Sequence, residues 1–138
     1  MPRKDSIHEA VKNALIKEDW VITDDPLFIE YGLEDMYVDL GAERLLGAQK
    51  DSEKIAVEIK SFAGTSTITE LHNALGQYQV YLAVLERIDP DRKLFLALSE
   101  SSYQELSSMS TFELVTTRFG VALLVVSVDS EEIFEWKK

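Results

Sequence analysis

The sequence predicts one α/β domain in which helices cover both faces of a mixed β-sheet. Its 138 residues, 46% of them hydrophobic and 28% charged, are enough for one domain with a buried core. Helical and extended patterns alternate in the order helix, strands, helix, strand, helix, strand, which is typical of α/β proteins. Residues 121–128 form a continuous apolar run, as expected for a buried central strand.

The N-terminal half is predicted to contain one helix followed by strands. Asp5 or Ser6 can cap this helix, because apolar residues then recur at helical spacing until about residue 18. An Asp-Asp-Pro sequence predicts the first turn. The extended patterns predict strands at 20–23, 27–31, 36–48 and 55–61, a turn at 24–26 and a hairpin turn at 49–54.

The C-terminal half is dominated by a helix predicted at 67–87. From Leu71 to Leu85 the chain carries no charged side chain, so we expect this helix to be buried on more than one side. The covering surface is either the core of the same chain or a second subunit, and a homo-oligomer is therefore one expectation. The remaining predicted elements are a strand at 94–99, helices at 101–107 and 112–119, the strand at 121–128 and an edge strand at 132–136.

The composition excludes several classes of protein. There are 14 Lys and Arg residues against 25 Asp and Glu, a net charge of −11, which argues against a basic protein that coats nucleic acid or an anionic membrane. The absence of Cys excludes a disulfide scaffold, a thiolate zinc site and a cysteine nucleophile. Two His residues are too few for a His-rich metal site. No segment has the pattern of a secretory signal or a membrane span, so we expect a cytoplasmic location.

Two acidic residues and a lysine on neighbouring predicted strands form the candidate site. Glu58 and Lys60 alternate with Ile59, so they point to the same side of their strand. If this strand forms a hairpin with the preceding one, Asp39 can reach Glu58. The two carboxylates, with the Ile59 carbonyl, supply the oxygen ligands that Mg²⁺ prefers. Lys60 can then orient a water or stabilise charge on a phosphate, which is the chemistry of metal-assisted phosphodiester hydrolysis.

Three further residues are candidates for the same catalytic site. Glu9, on the first helix, can add an acidic group. Gln77 and Tyr81 are four residues apart, so they share one face of the helix that follows the Glu58 strand. The alternatives are ordinary ones: Glu9 is then a surface glutamate of a helix, and Gln77 and Tyr81 are residues of an interface.

The arrangement of these residues resembles a known superfamily. Asp39 followed by Glu58-x-Lys60, then Gln77-x-x-x-Tyr81, is similar to the motif of the restriction-endonuclease-like, or PD-(D/E)xK, superfamily and especially its RecB-type members. Val38 stands where the name of the superfamily has proline. Over nearly its whole length the chain more closely resembles the XisH family of fdxN element excision controlling factors, in the segments HEAVKNAL, WVITDDPL, VDLGAE, AVEIKSF and ALGQYQVYL.

The resemblance implies a restriction-endonuclease-like α/β domain and a role in programmed removal of a DNA element during the differentiation of nitrogen-fixing photosynthetic bacteria. It also implies two partners, a protein called XisI and a site-specific recombinase called XisF. Two functions stay open. An accessory or controlling factor that acts through a protein partner is favoured by the net charge, whereas a Mg²⁺-dependent DNA nuclease is favoured by Asp39, Glu58 and Lys60.

Overall fold

The computed structural model describes residues 4–45, 52–62 and 66–138, which form helices and strands in alternation. The helices are α1 (Lys4–Lys17), α2 (Thr67–Ile88), α3 (Glu100–Ser107) and α4 (Ser110–Arg118). The strands are β1 (Val21–Asp24), β2 (Leu27–Tyr31), β3 (Glu34–Val38), β4 (Leu40–Leu45), β5 (Ser52–Ile59), β6 (Arg92–Ser99), β7 (Leu123–Ser127) and β8 (Glu132–Lys137). None of these described helices is both long enough and apolar enough to cross a membrane.

Six of the strands form one mixed sheet in the order β1–β4–β5–β6–β7–β8. Strands β5, β6 and β7 run parallel to one another, whereas β1, β4 and β8 are antiparallel to their neighbours. Strands β2 and β3 form a separate two-stranded hairpin. The predicted mixed sheet is therefore confirmed, and β8 lies at its edge as expected.

The side chains of β5 show how the two faces of the sheet are covered. Val57 and Ile59 pack in the hydrophobic cluster beneath α1, whereas Ala56 packs in the cluster beneath α2. Because side chains alternate along a strand, Glu58 lies on the same face as Ala56, the face that α2 covers. Helices cover both faces of the sheet, as predicted. Helix α1 contributes Ile7, Ala10, Val11, Ala14 and Leu15 to the first cluster, and α2 contributes Leu71, Ala74, Tyr78 and Leu85 to the second, which also contains Leu106 of α3 and Phe112 of α4.

Helix α2 buries one face in the core of its own chain and exposes the other. Its N-cap is Ser66, whose hydroxyl accepts the Thr69 N–H. The buried Tyr78 hydroxyl donates to the Leu94 carbonyl at 3.2 Å and accepts the Ala122 N–H at 3.1 Å, which ties α2 to β6 and to the residue before β7. On the opposite face, Val80 is 52% exposed. The core of the chain thus covers one side of α2, and a second subunit on the other side stays a prediction.

The strand predicted at 36–48 is two strands in the structure. Strand β3 ends at Val38 and β4 begins at Leu40, and the two pair with different neighbours. The prediction continued the strand through Asp39 and Gly41, although both residue types are rare in strands. The predicted end of the strand, at 46–48, lies outside the described residues.

Strand β5 begins earlier than predicted. It starts at Ser52, so the last three residues of the hairpin turn predicted at 49–54 belong to a strand instead. Their polar side chains suggested a turn, but they lie on an exposed strand end, where Arg44 and Glu53 form an ion pair of 2.8 Å across β4 and β5. The first three residues of the predicted turn lie outside the described residues.

Candidate functional site

Asp39 lies between β3, a strand of the separate hairpin, and β4, a strand of the six-stranded sheet. The β4–β5 ladder ends with the pair Leu40 and Val57, and the residues before Leu40 turn away to pair with β2. In the gap that this divergence opens beside β5, the Asp39 Oδ2 accepts the Ile59 N–H at 2.8 Å. In return, the Asp39 N–H donates to the Glu58 Oε1 at 3.2 Å. These two hydrogen bonds hold both carboxylates at the gap.

Glu58 is the only charged residue in the described part of the chain that is buried. Burial raises the pKa of Glu58 to about 7, the negative charge of Asp39 acts in the same direction, and Lys60 opposes both. The Lys60 Nζ is 3.6 Å from the Glu58 Oε2, and the Lys60 side chain is still 26% exposed. An ionised Glu58 is therefore costly in the free protein, so a cation bound beside it would be stabilising.

The backbone carbonyl of Ile59 faces the same gap. The N–H and the carbonyl of one residue in a strand point to the same side, and the Ile59 N–H points to Asp39. The next N–H, from Lys60, points the other way and donates to Ala97 of β6 at 3.0 Å. The Ile59 carbonyl is thus directed at the carboxylate side of β5, as a third oxygen ligand would need to be.

Helix α2 brings Tyr81 to this cluster. Burial raises the pKa of the Tyr81 phenol, and the negative charges of Glu58 and Asp39 raise it further, which places the ring close to both carboxylates. Gln77 lies one turn earlier on the same helix face and is exposed. The structure therefore groups Asp39, Glu58, Lys60 and Tyr81, with Gln77 at the open side.

Glu9 lies apart from this group. It is on α1, which packs on the other face of the sheet, and its side chain is 61% exposed. Its carboxylate is 3.7 Å from the Lys12 ammonium, which also pairs with Asp25 at 2.8 Å. In this arrangement Glu9 belongs to a surface charge cluster on α1, and a catalytic role for it stays a prediction.

A cavity of about 230 Å³ adjoins the cluster, and the sequence reasoning had not pointed to it. Ile59 and Lys60 contribute to its wall, together with Phe62 and Asn73. Asn73 precedes Gln77 by four residues, so the helical spacing that identified Gln77 and Tyr81 extends to it. Phe62 has a φ of 51°, a left-handed conformation that residues other than glycine rarely adopt. No sequence signal identifies that conformation.

The donor set fits a cation of the magnesium type. Among the described residues, no group of three or more His, Asp or Glu side chains could hold a metal ion. Mg²⁺ does not need one, because it keeps several water ligands and is commonly bound through one or two carboxylates. Asp39, Glu58 and the Ile59 carbonyl offer two carboxylates and one further oxygen.

Fold and site together define a mixed α/β protein with a carboxylate pair, one member buried and the other half-buried, and a lysine beside it where the hairpin joins the six-stranded sheet. The chain belongs to the XisH protein family, whose model matches residues 1–134. No curated protein gave a significant match.

Two solved structures are similar to this chain. One is an XisH family protein from Nostoc punctiforme PCC 73102, with 38% identity and a TM-score of 0.88 over 97% of this chain and 100% of that one. The other, from Anabaena variabilis, is described as an fdxN element excision controlling factor protein. It has 38% identity and a TM-score of 0.87 over 98% of this chain and 100% of that one.

Proposed function

We propose that this chain is a controlling factor for the excision of a DNA element and that it acts through the cluster of Asp39, Glu58 and Lys60. The Anabaena variabilis relative, described as such a factor, is 38% identical over nearly the whole chain. The observation that carries the role of the cluster is the burial of Glu58 beside a second carboxylate. Burying an ionisable group costs free energy, and groups with shifted pKa values concentrate at functional sites.

The finer proposal is a restriction-endonuclease-like domain of the PD-(D/E)xK type. It is supported by the antiparallel pairing of β4 with β5 and by the position of Asp39 at the start of this hairpin. It is also supported by Lys60, which directly follows β5 and lies 3.6 Å from the Glu58 carboxylate. Helix α2 then returns over the Glu58 face of β5 with Tyr81, and β6 pairs in parallel with β5.

The proposed cofactor is Mg²⁺, held by Asp39, Glu58 and the Ile59 carbonyl. A bound Mg²⁺ polarises phosphate oxygens and lowers the pKa of a bound water. The chain's own residues supply the remaining interactions. The Lys60 ammonium, partly exposed beside Glu58, can bind a phosphate oxygen or orient a water. The Tyr81 hydroxyl can donate a hydrogen bond on the same side, and the exposed Gln77 can contact a bound strand.

A second candidate function is a Mg²⁺-dependent DNA nuclease. The specific observation in its favour is the Lys60 Nζ, 3.6 Å from the Glu58 carboxylate and accessible to solvent. A site that only bound a cation for stability would have no need of a neighbouring positive charge, which competes with the cation. A lysine is useful there if an anionic phosphate enters the site.

Partners are part of the proposal because the charge of the chain disfavours DNA binding. With a net charge of −11, the chain offers few cations to replace the counterions of DNA. We therefore propose that an XisI-like protein, and an XisF-like recombinase, connect it to DNA in the cytoplasm of a differentiating cell.

The experiment that tests both candidate functions is a plasmid-nicking assay with Mg²⁺, with and without the XisI-like protein. Wild type is compared with Asp39→Ala and with Glu132→Gln, which changes an exposed carboxylate on the edge strand β8. Cleavage that is lost in Asp39→Ala and kept in Glu132→Gln supports the nuclease.

The controlling factor is tested by excision of a reporter element in cells. Excision that requires the chain, without any nicking by the purified proteins, supports a controlling role alone. If excision in cells is unchanged when the chain is deleted, the proposed function is wrong. If excision needs the chain but is unaffected by Asp39→Ala, the cluster is not the part that acts.

A further inference from the structure

The hairpin of β2 and β3 has an apolar inner face and an aromatic outer face. Leu27, Ile29 and Val38 are buried against the core on the inner side. Phe28 and Tyr37, directly opposite each other on the outer side, are 49% and 57% exposed, and their ring centroids are 5.4 Å apart. The inner face already anchors the hairpin to the core, so the two exposed rings are not needed for that packing. Exposed apolar patches of this kind are typical of interaction sites.

The same outer face carries two carboxylates that take part in no ion pair within the described part of the chain. Glu30 and Asp35 are a directly opposed cross-strand pair, next to the Phe28–Tyr37 pair. Like charges in this position destabilise a hairpin. Residues 27–38 contain no Lys or Arg, and no ion pair in the described part of the chain involves either carboxylate. We call Phe28, Glu30, Asp35 and Tyr37 the outer hairpin face.

We infer that the outer hairpin face is a docking surface for an arginine-bearing segment of a basic protein partner. A guanidinium can stack on the exposed rings and at the same time form hydrogen bonds with carboxylates. The rings and the carboxylates are adjacent here, so one arginine side chain meets both requirements. Aromatic residues surrounded by complementary charge are typical centres of protein interfaces.

The negative charge of the outer hairpin face argues against two other occupants, DNA and a second copy of the chain. The phosphates of DNA are repelled by Glu30 and Asp35, neither of which pairs with a cation of residues 4–45, 52–62 or 66–138. A second copy of the chain, docked through the same face, would bring four carboxylates together without a counter-charge. A basic protein is the occupant that replaces repulsion with attraction, and the inference does not depend on the proposed cation site.

The inference is tested by NMR titration of the isotope-labelled protein with a short synthetic peptide of alternating Arg and Leu. We expect amide shift changes concentrated in residues 27–38, and weaker binding of the equivalent Lys and Leu peptide, since lysine stacks less well on rings. The variant with Glu30→Gln and Asp35→Asn should bind the Arg peptide about five-fold more weakly. A matched variant, Glu105→Gln with Glu132→Gln, removes two exposed carboxylates elsewhere and should bind nearly as wild type does.

Three results would overturn the inference. Shift changes spread over the whole surface, or an equal loss of affinity in both double variants, would mean that the peptide responds only to net charge. Shift changes in residues 27–38 on adding duplex DNA would mean that the face binds nucleic acid. The amide spectra of the variants report their folding directly, so an unfolded variant is recognised and replaced by Phe28→Leu with Tyr37→Leu.

Discussion

Asp39 and Glu58 are joined by a hydrogen bond although both are acidic, because the Asp39 N–H donates to the Glu58 carboxylate at 3.2 Å. The bond holds two negative charges together at a place where one of them is buried. With a pKa of about 7, Glu58 carries a proton for a large part of the time at neutral pH. Two carboxylates held this close repel each other when both are ionised, and a cation bound between them would reduce that repulsion.

The contribution of Glu58 to the stability of the free protein should fall as pH rises from about 4.5 to about 7. The pKa of Glu58 is raised from an ordinary 4.5 to about 7, so the folded chain holds a proton that the unfolded chain releases. The Glu58 contribution is favourable below about pH 4.5, is lost between about pH 4.5 and 7, and is absent above that range. Its size is on the order of 3 kcal/mol. Urea unfolding of wild type and Glu58→Gln gives the free energy of unfolding at each pH in this range. The difference between the two pH dependences measures the Glu58 contribution.

Glu58→Gln is the control as well as the test in this experiment, because every other titrating group is shared. The difference in unfolding free energy between the variant and wild type should grow in favour of the variant as pH rises. A constant difference would show that Glu58 titrates normally and is not buried beside Asp39.

Magnesium should stabilise the folded protein through the same two carboxylates. Binding of Mg²⁺ to the native state alone raises the free energy of unfolding by about 1.4 kcal/mol at ten times Kd. Thermal unfolding should therefore move to higher temperature with Mg²⁺ in wild type and in Glu9→Gln, and should not move in Asp39→Asn. An equal shift in Asp39→Asn would place the ion elsewhere.

Local patterns in the sequence predicted most of the elements, and the strand at 27–31 has the predicted bounds. The strand predicted at 55–61 ends at Ile59 instead, and Lys60, just beyond it, lies 3.6 Å from the Glu58 carboxylate. Asp39 and Gly41 disfavour a strand and could have suggested the break, but propensity does not specify which strand pairs with which. Pairing depends on residues far apart in the sequence.

The sequence also did not predict which individual side chains are buried. Glutamate is rarely buried, so its residue type gives no reason to expect that Glu58 is. Conversely, the uncharged stretch of α2 suggested burial on more than one side. Within the chain Gly76, Gln77 and Val80 are exposed, and cover of this side by a second subunit stays a prediction. Small and neutral polar side chains are compatible with either environment, so the absence of charge alone does not define a buried face.

Removing the Tyr78 hydroxyl should destabilise the protein without affecting the site. In Tyr78→Phe the Leu94 carbonyl and the Ala122 N–H both lose their bond to the phenol, and the ring stays in place. Leaving a buried polar group unpaired costs about 1–3 kcal/mol. Chemical denaturation should show a lower unfolding free energy for Tyr78→Phe and little change for Tyr81→Phe. A larger loss in Tyr81→Phe would show that Tyr81, rather than Tyr78, connects α2 to the sheet.

DNA binding by the isolated protein should be weak at physiological salt and should increase with Mg²⁺. Non-specific affinity comes from Lys and Arg side chains that neutralise phosphates and release counterions, and here 14 such residues stand among 25 acidic ones. A cation bound by Asp39 and Glu58 would remove negative charge at the site and attract a phosphate.

A gel-shift titration of a DNA duplex checks this expectation. It uses wild type and Asp39→Ala, each with and without Mg²⁺, and repeats the series with the XisI-like protein. Binding that rises with Mg²⁺ in wild type and not in Asp39→Ala supports the cation site, whereas binding that needs only the partner supports a purely controlling role. Tight binding by the chain alone, without metal, would contradict both, since it would require a basic surface that neither the net charge nor the acidic cluster provides.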